Sequence, residues 1–206
     1  MPLVYQQNIN AGTKIAVWHI TEPESFFLKQ VPLQREISHW HKRLQHLAGR
    51  LLLKELFPHF PVSMIRIADT KKPFLPDEPF HFSISHCGNY AAAIVSQTNR
   101  VGIDVEIPNK KIENLQHKFM YVAEIPKLEL QCPMPLSNKL TLYWSIKETV
   151  FKWWGSGEVD FKKDIVIQSI DGQLNQGIAY CEFKKMYLIQ VHYIFINNNF
   201  LTWVIT

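Results

Sequence analysis

Asp104, Glu106 and Glu148, together with Lys147 and Lys152, are the residues of this 206-residue chain whose types and spacing suit phosphate chemistry. The stretch Val101-Gly102-Ile103-Asp104-Val105-Glu106 reads as a short buried strand. Side chains alternate along a strand, so Asp104 and Glu106 share one face and Ile103 and Val105 the other. Two carboxylates side by side repel each other unless a cation lies between them. Within Trp144–Lys152, the residues Trp144, Glu148 and Lys152 follow an i, i+4, i+8 spacing and share one face of a helix. Magnesium takes oxygen ligands, keeps several waters, and is often held by a few carboxylates plus substrate phosphates. Lysines beside it neutralise charge developing on phosphate oxygens. A carboxylate set without convergent His and Cys argues against zinc. The plainer alternative stays open at this point. Acids at a strand end are commonly solvated, and a helical Glu/Lys pair is commonly a surface ion pair. The metal reading requires the helix to pack so that Glu148 reaches the same ion as Asp104 and Glu106.

A second set of groups suits anion binding. Ser38 to Leu56 reads as a helix capped by Ser38 and closed by Pro58, with Trp40, Leu44, Leu47, Leu51 and Leu52 on its apolar stripe. Its other side carries His39, Lys42, Arg43, His46, Arg50 and Lys54 and no acid before Glu55. That side is either a solvated surface or a phosphate dock, with Arg43 and Arg50 the best-matched donors. His39, His41 and His46 lack HExxH spacing and are read as surface. Ser85 and His86 are strand neighbours facing opposite ways, so they do not form a nucleophile–base pair, and no GxSxG elbow surrounds Ser85. They read as a phosphate-holding strand end or as turn residues. Cys87 reads as a packed thiol. No Walker-type loop or dinucleotide fingerprint occurs.

The elements that must position these groups read as strand, helices, strands, and then the same again. Lys14 to Ile20 is a strand, followed by a short helix from Thr21 to Gln30 and the basic helix. Val62 to Ile67 is a strand and 69–79 a loop. A hairpin of 80–86 and 90–96 turns at Gly88-Asn89, and 101–107 is the next strand. A helical pattern runs over 109–130, interrupted by Pro126, with a break at 132–135. Ser137 caps a helix to Trp154, ended by Gly155-Ser156-Gly157. Strands then occupy 165–170, 177–183, 187–196 and 200–206, with turns at Asp171-Gly172 and 197–199, and residues 1–12 read as an irregular lead-in. This order predicts an α+β fold of two similar halves joined near residue 100. The apolar content of 47%, charged content of 19% and net charge of +4 fit a folded chain with an anionic or acidic partner. Aromatics do not interleave with the basic helix residues, which argues against nucleic acid. Cys87, Cys132 and Cys181 are scattered and read as reduced thiols of a cytoplasmic protein. No signal peptide and no apolar run near ~20 residues is seen, so no membrane span is expected.

Phe82-Ser83-Ile84-Ser85-His86-Cys87, Gly102-Ile103-Asp104-Val105-Glu106 and Trp144-Ser145-Ile146-Lys147-Glu148-Thr149-Val150-Phe151-Lys152 stand in the order and rough spacing of the 4′-phosphopantetheinyl transferases. The resemblance covers about residues 38–157 and is to the monomeric, two-lobed type that acts on carrier proteins. It implies a pseudo-twofold pair of lobes, 1–100 and 101–206, each a small, largely antiparallel sheet with helices. The first lobe takes the coenzyme A nucleotide, the second the metal and the carrier protein, and the active site lies at their join. The implied reaction moves 4′-phosphopantetheine from coenzyme A to a serine of an apo acyl- or peptidyl-carrier protein, with Mg2+, releasing adenosine 3′,5′-bisphosphate. By the resemblance, Asp104, Glu106 and Glu148 are the metal ligands, and Glu148 is the base, directly or through a water. Lys152 and Lys147 lie near the pyrophosphate. Ser85 and His86 hold the nucleotide, His86 at the 3′-phosphate. Lys72, in Lys72-Pro73, lies near the nucleotide, and Gly49-Arg50-Leu51-Leu52-Leu53-Lys54 resembles the family's GRxLLR segment. Arg43 and Arg50 join the coenzyme A set. Ser83 and Cys87 depart from the common Asn and Ser. A non-catalytic module that binds coenzyme A or a carrier protein is the alternative, and the intact acids with Lys152 favour the enzyme.

Overall fold

Period-two alternation and turn residues build two antiparallel sheets, and each receives one long amphipathic helix. The computed structural model describes residues 2–130, 134–173 and 175–206. The chain divides into two compact units, Met1–Ile103 with Thr206, and Asp104–Ile205. The fold is α+β. The break expected over 132–135 and the thiol of Cys132 fall wholly or partly outside the described residues.

In the first unit, β1 (Leu3–Asn10), β2 (Thr13–His19), β5 (His81–Cys87) and β6 (Tyr90–Ser96) form a sheet ordered β1-β2-β6-β5. The intervening β3 (Arg66–Ile67) and β4 (Pro73–Phe74) make a small separate ribbon. Gly88 turns the β5–β6 hairpin with φ +53°. Helix α1 (Glu24–Leu28) is short, and α2 (Trp40–Leu56) lays Leu47, Ala48, Leu51, Leu52, Leu53 and Leu56 into the core. Each fully buried leucine contributes about 1.5–3 kcal/mol relative to exposure. The residues expected to be an irregular lead-in are β1, whose polar Gln6, Gln7 and Asn8 pair along β2 at the sheet edge. The strand expected at 62–67 is a 3-10 turn at Val62–Met64 followed by two-residue β3. The N-cap of α2 is His39, not Ser38, and Trp40 is 62% exposed, because the apolar stripe begins in earnest at Leu44.

In the second unit, β7 (Val101–Glu106), β8 (Ile165–Gln173), β9 (Gln176–Phe183), β10 (Tyr187–Ile196) and β11 (Asn199–Ile205) form a sheet ordered β7-β11-β10-β9-β8. β8 runs through the turn expected at Asp171-Gly172 and pairs Gly172 with Gly177. The helix expected over 109–130 is broken into a 3-10 turn at Lys110–Leu115, α3 (Gln116–Phe119), a 3-10 turn at Val122–Glu124, and α4 (Ile125–Leu130). Pro126 sits in the first turn of α4, where its missing N–H costs nothing. Helix α5 (Leu136–Trp154) packs on β11 and β10 and ends on Gly155 at φ +71°, whose N–H bonds Phe151 O. No helix among the described residues is long and apolar enough to cross a membrane.

Gly49 marks where α2 packs against the Ile84 side chain of β5. A Cβ there would lie 2.6 Å from Ile84 Cγ2, on a stiff β-branched side chain. Gly49→Ala is expected to lower stability by roughly 1–3 kcal/mol despite its better helix propensity. Urea unfolding checks this, and a variant as stable as the parent would show that the helix shifts freely.

Candidate active site

Helix α5 and strand β7 build the acidic site. The face carrying Trp144, Glu148 and Lys152 meets the strand through Trp144 and Lys152. Trp144 Nε1 donates to Glu106 Oε1 at 3.4 Å, and Lys152 Nζ donates to Asp104 Oδ1 at 2.6 Å. Asp104 is buried, and its Oδ2 accepts from Ser145 Oγ at 2.8 Å. Ser145 and Thr149 in turn bond Thr202 of β11 at 3.0 and 2.5 Å. Asp104 is therefore held by one hydroxyl, itself fixed by Thr202, and by an ammonium. Burial pushes the Glu148 carboxyl up to about 7, with Lys152 opposing and the charge of Asp104 adding.

Among the described residues no three His, Cys, Asp or Glu side chains are gathered into a metal cage. Asp104 is engaged by Lys152 and Ser145, and Glu106 accepts from Trp144. The donor chemistry nonetheless fits a hard cation. Asp104 and Glu148 offer oxygen atoms only, and their mutual repulsion is what a divalent ion relieves.

Lys147 corrects the sequence expectation. It is fully buried, and its Nζ lies against Phe119 O, Glu124 Oε2, Phe161 O and Ile165 O at 2.7–2.9 Å. These acceptors exhaust the three protons of an ammonium, so Lys147 is a core group and not a pyrophosphate ligand. Its partner Glu124, also fully buried, accepts from Tyr121 N and Ile167 N, both at 2.7 Å. Sequence reasoning missed Glu124, although its position three residues after Tyr121 is capping-box spacing.

The first unit holds a cationic cluster. His46 and Arg50, one helical turn apart on α2, are both buried and not on the solvated face expected for the histidines. Burial, then Arg50, Arg35 and His86, depress His46 to about 3. Burial and Arg35 bring Arg50 down to about 10. Arg50 Nε donates to Gln34 Oε1 at 3.3 Å, and His46 Nε2 is a buried atom with no hydrogen-bond partner. The charges acting on these groups are cationic or imidazole, which is the environment an anion would offset. Sequence reasoning missed Arg35, which lies in an irregular segment without period, and misread His46, whose i, i+4 spacing to Arg50 was the available signal.

Ser85 is buried on β5 and its neighbour His86 is exposed, consistent with opposite faces. Lys72 is depressed to about 8 by burial and by Arg100, with Glu78 opposing. Arg43 is bonded within the first unit. Its Nε and Nη2 clamp Glu24 at 2.9 and 3.0 Å, and its Nη1 donates to Ile37 O and Ser38 O. It ties α2 to α1. Cys181 is buried and its thiol pushed up to about 12, which makes it inert.

The second unit also carries a cavity of about 620 Å³. Met120, Tyr121, Val122 and Ile125 give it an apolar lining, and His117, Lys162 and Lys163 a basic rim.

Comparison with known proteins agrees with these features. The chain is 31% identical to a putative 4′-phosphopantetheinyl transferase of Haemophilus influenzae over 146 residues, 66% of this chain and 60% of that protein. It is 31% identical to enterobactin synthase component D of Salmonella austin over 111 residues, 54% of this chain and 47% of that protein. It is 28% identical to the 4′-phosphopantetheinyl transferase AcpT of Salmonella typhimurium over 116 residues, 55% of this chain and 60% of that protein. The chain thus spans about half to three fifths of the length of these relatives. A sequence model of the family matches residues 100–202, half of the chain, which includes Asp104, Glu106, Glu148 and Lys152. The chain belongs to the 4′-phosphopantetheinyl transferase superfamily.

Proposed function

We propose that this protein is a magnesium-dependent enzyme that transfers 4′-phosphopantetheine from coenzyme A to a serine of an apo acyl- or peptidyl-carrier protein. The observation that carries the reading is the Asp104–Lys152–Glu148 arrangement: a buried acid bonded to a lysine, beside a second acid whose protonation is poised near neutrality. Asp104 and Glu148, joined by Glu106, would hold Mg2+, which when bound supplies charge neutralisation on the pyrophosphate. Lys152 serves as the cation beside the phosphates. Glu148 takes the proton of the carrier serine, directly or through a water, and a base near pH 7 suits that task. The serine Oγ–P bond forms as the P–O bond to the adenosine nucleotide breaks, and adenosine 3′,5′-bisphosphate leaves with the electron pair.

The nucleotide end falls to the residues of the first unit. Arg50, His86, Ser85 and Lys72 are the coenzyme A set, and the buried Arg50 guanidinium with Arg35 acting on it supports an anion there. We propose the apolar, basic-rimmed cavity of the second unit as the seat of the carrier. Its lining suits an apolar helix face, and His117, Lys162 and Lys163 suit an acidic partner. We place the enzyme in the cytoplasm as a monomer.

Incubation with coenzyme A, Mg2+ and a panel of apo carriers, followed by intact mass measurement, is expected to show the added arm. Asp104→Ala is expected to abolish the transfer. No gain on any carrier from folded wild-type protein would overturn the proposal, and coenzyme A binding without transfer would favour the non-catalytic module. Arg50→Ala is expected to weaken coenzyme A binding by roughly tenfold or more, a charge-assisted hydrogen bond being worth about 1.5–3 kcal/mol; an unchanged Kd by calorimetry returns Arg50 to a packing role. Glu148 also makes a pH prediction. Its folded value is raised from 4.5 to about 7, so its stabilising contribution is complete below 4.5 and lost as pH rises through 7. Glu148→Gln should therefore raise stability over the parent at pH 8, on the order of 2 kcal/mol, and the gain should vanish near pH 4.5. Thermal melts with chelator present check this, and a pH-independent difference contradicts it.

A further inference from the structure

We infer that the buried Lys147–Glu124 pair is a positioning device that sets the two walls of the apolar cavity against helix α5. The inference deepens the reading of that cavity as the carrier seat, and on that reading its kinetic consequence rests.

The geometry points this way on three counts. First, the four acceptors of Lys147 Nζ come from separate segments. Phe119 O precedes Met120 and Tyr121 on one wall of the cavity, and Phe161 O precedes Lys162 and Lys163 on the other. One ammonium therefore grips both walls. Second, Glu124 extends the grip. Its Oε2 accepts from Lys147 Nζ and from Tyr121 N, and its Oε1 accepts from Ile167 N of β8. The wall residues Tyr121, Val122 and Ile125 flank Glu124 in sequence and inherit its placement. Third, Lys147 adjoins Glu148 on α5, so the helix that carries the proposed base is indexed to the cavity by the next side chain.

Core stability alone is a poor explanation for such a pair. Apolar side chains of like volume commonly match or exceed a buried ion pair in stability, whereas fixed direction and fixed length are what they lack. An ammonium with carbonyl acceptors on two loops specifies the spacing of those loops. The spacing decides whether an apolar helix of the carrier fits between the walls and whether its serine arrives at Glu148.

The test uses the double variant Lys147→Met/Glu124→Gln, which removes both charges and keeps the volume. Hydrogen–deuterium exchange over 116–125 and 161–165 is expected to accelerate in the folded variant, while α2 and β5 exchange as in the parent. In transfer assays the carrier KM is expected to rise roughly tenfold or more with the coenzyme A KM unchanged, because a misplacement of about 1 Å can cost up to 100-fold. Glu124→Asp keeps the charge and shortens the reach, and is expected to give a smaller shift in the same direction; it replaces the double variant if that one does not fold. A merely structural pair would lower the melting temperature without separating the two KM values. Unchanged exchange at both walls, or an unchanged carrier KM in a folded variant, overturns the inference. If wild-type protein modifies no carrier, the functional reading fails, and the exchange experiment still decides the positioning role.

Discussion

A buried ammonium organises the second unit. Burying an unpaired charge costs several kcal/mol, so the groups that surround Lys147 Nζ have to be in place together. They come from the end of α3, the turn at Glu124, the segment before β8 and the first residue of β8. Helix α5 is therefore locked in rotation as well as position. With Lys147 directed into the core, the face one step around the helix, carrying Trp144, Glu148 and Lys152, is directed to β7. The acidic site is a consequence of that lock.

Each unit sets a titratable group against burial and a neighbouring charge of like sign. In the second, the charge of Asp104 adds to the burial that disfavours ionisation of Glu148, and Lys152 opposes both. In the first, His46 and Arg50 are buried beside Arg35 and His86, and the buried imidazole is forced neutral. On the proposed function, a cation would offset the arrangement in the second unit and a phosphate that in the first.

The strand Val101–Glu106 and the helix Trp144–Lys152 were legible because period two and period 3.6 are properties of the chain itself. Which face of each carries the acids and Lys152 was legible too, but that the two faces meet was a requirement of the metal reading and not a result of the spacing. The sequence did not indicate depth. Lys147 and Lys152 differ by five positions and look alike in the motif, yet one is fully buried and the other partly exposed. Arg43 and Arg50 share a basic side of α2, yet Arg43 is committed to Glu24 on α1 and Arg50 is buried. Which of two like residues is structural depends on distant segments, such as Glu24 and Glu124, that no local spacing connects to them. The edge strand β1 escaped notice because Gln6, Gln7 and Asn8 interrupt its alternation. The helical pattern over 109–130 gave way where Glu124 caps the turn at Tyr121.

The central claim is that Asp104 and Glu148 share a divalent cation with the donor's pyrophosphate. Anomalous scattering from crystals grown with Mn2+ and coenzyme A measures this directly. The account predicts one manganese peak bonded to carboxylate oxygens of Asp104 and Glu148 and to phosphate oxygens of coenzyme A. Coenzyme A bound with manganese at a site that uses neither carboxylate would contradict it.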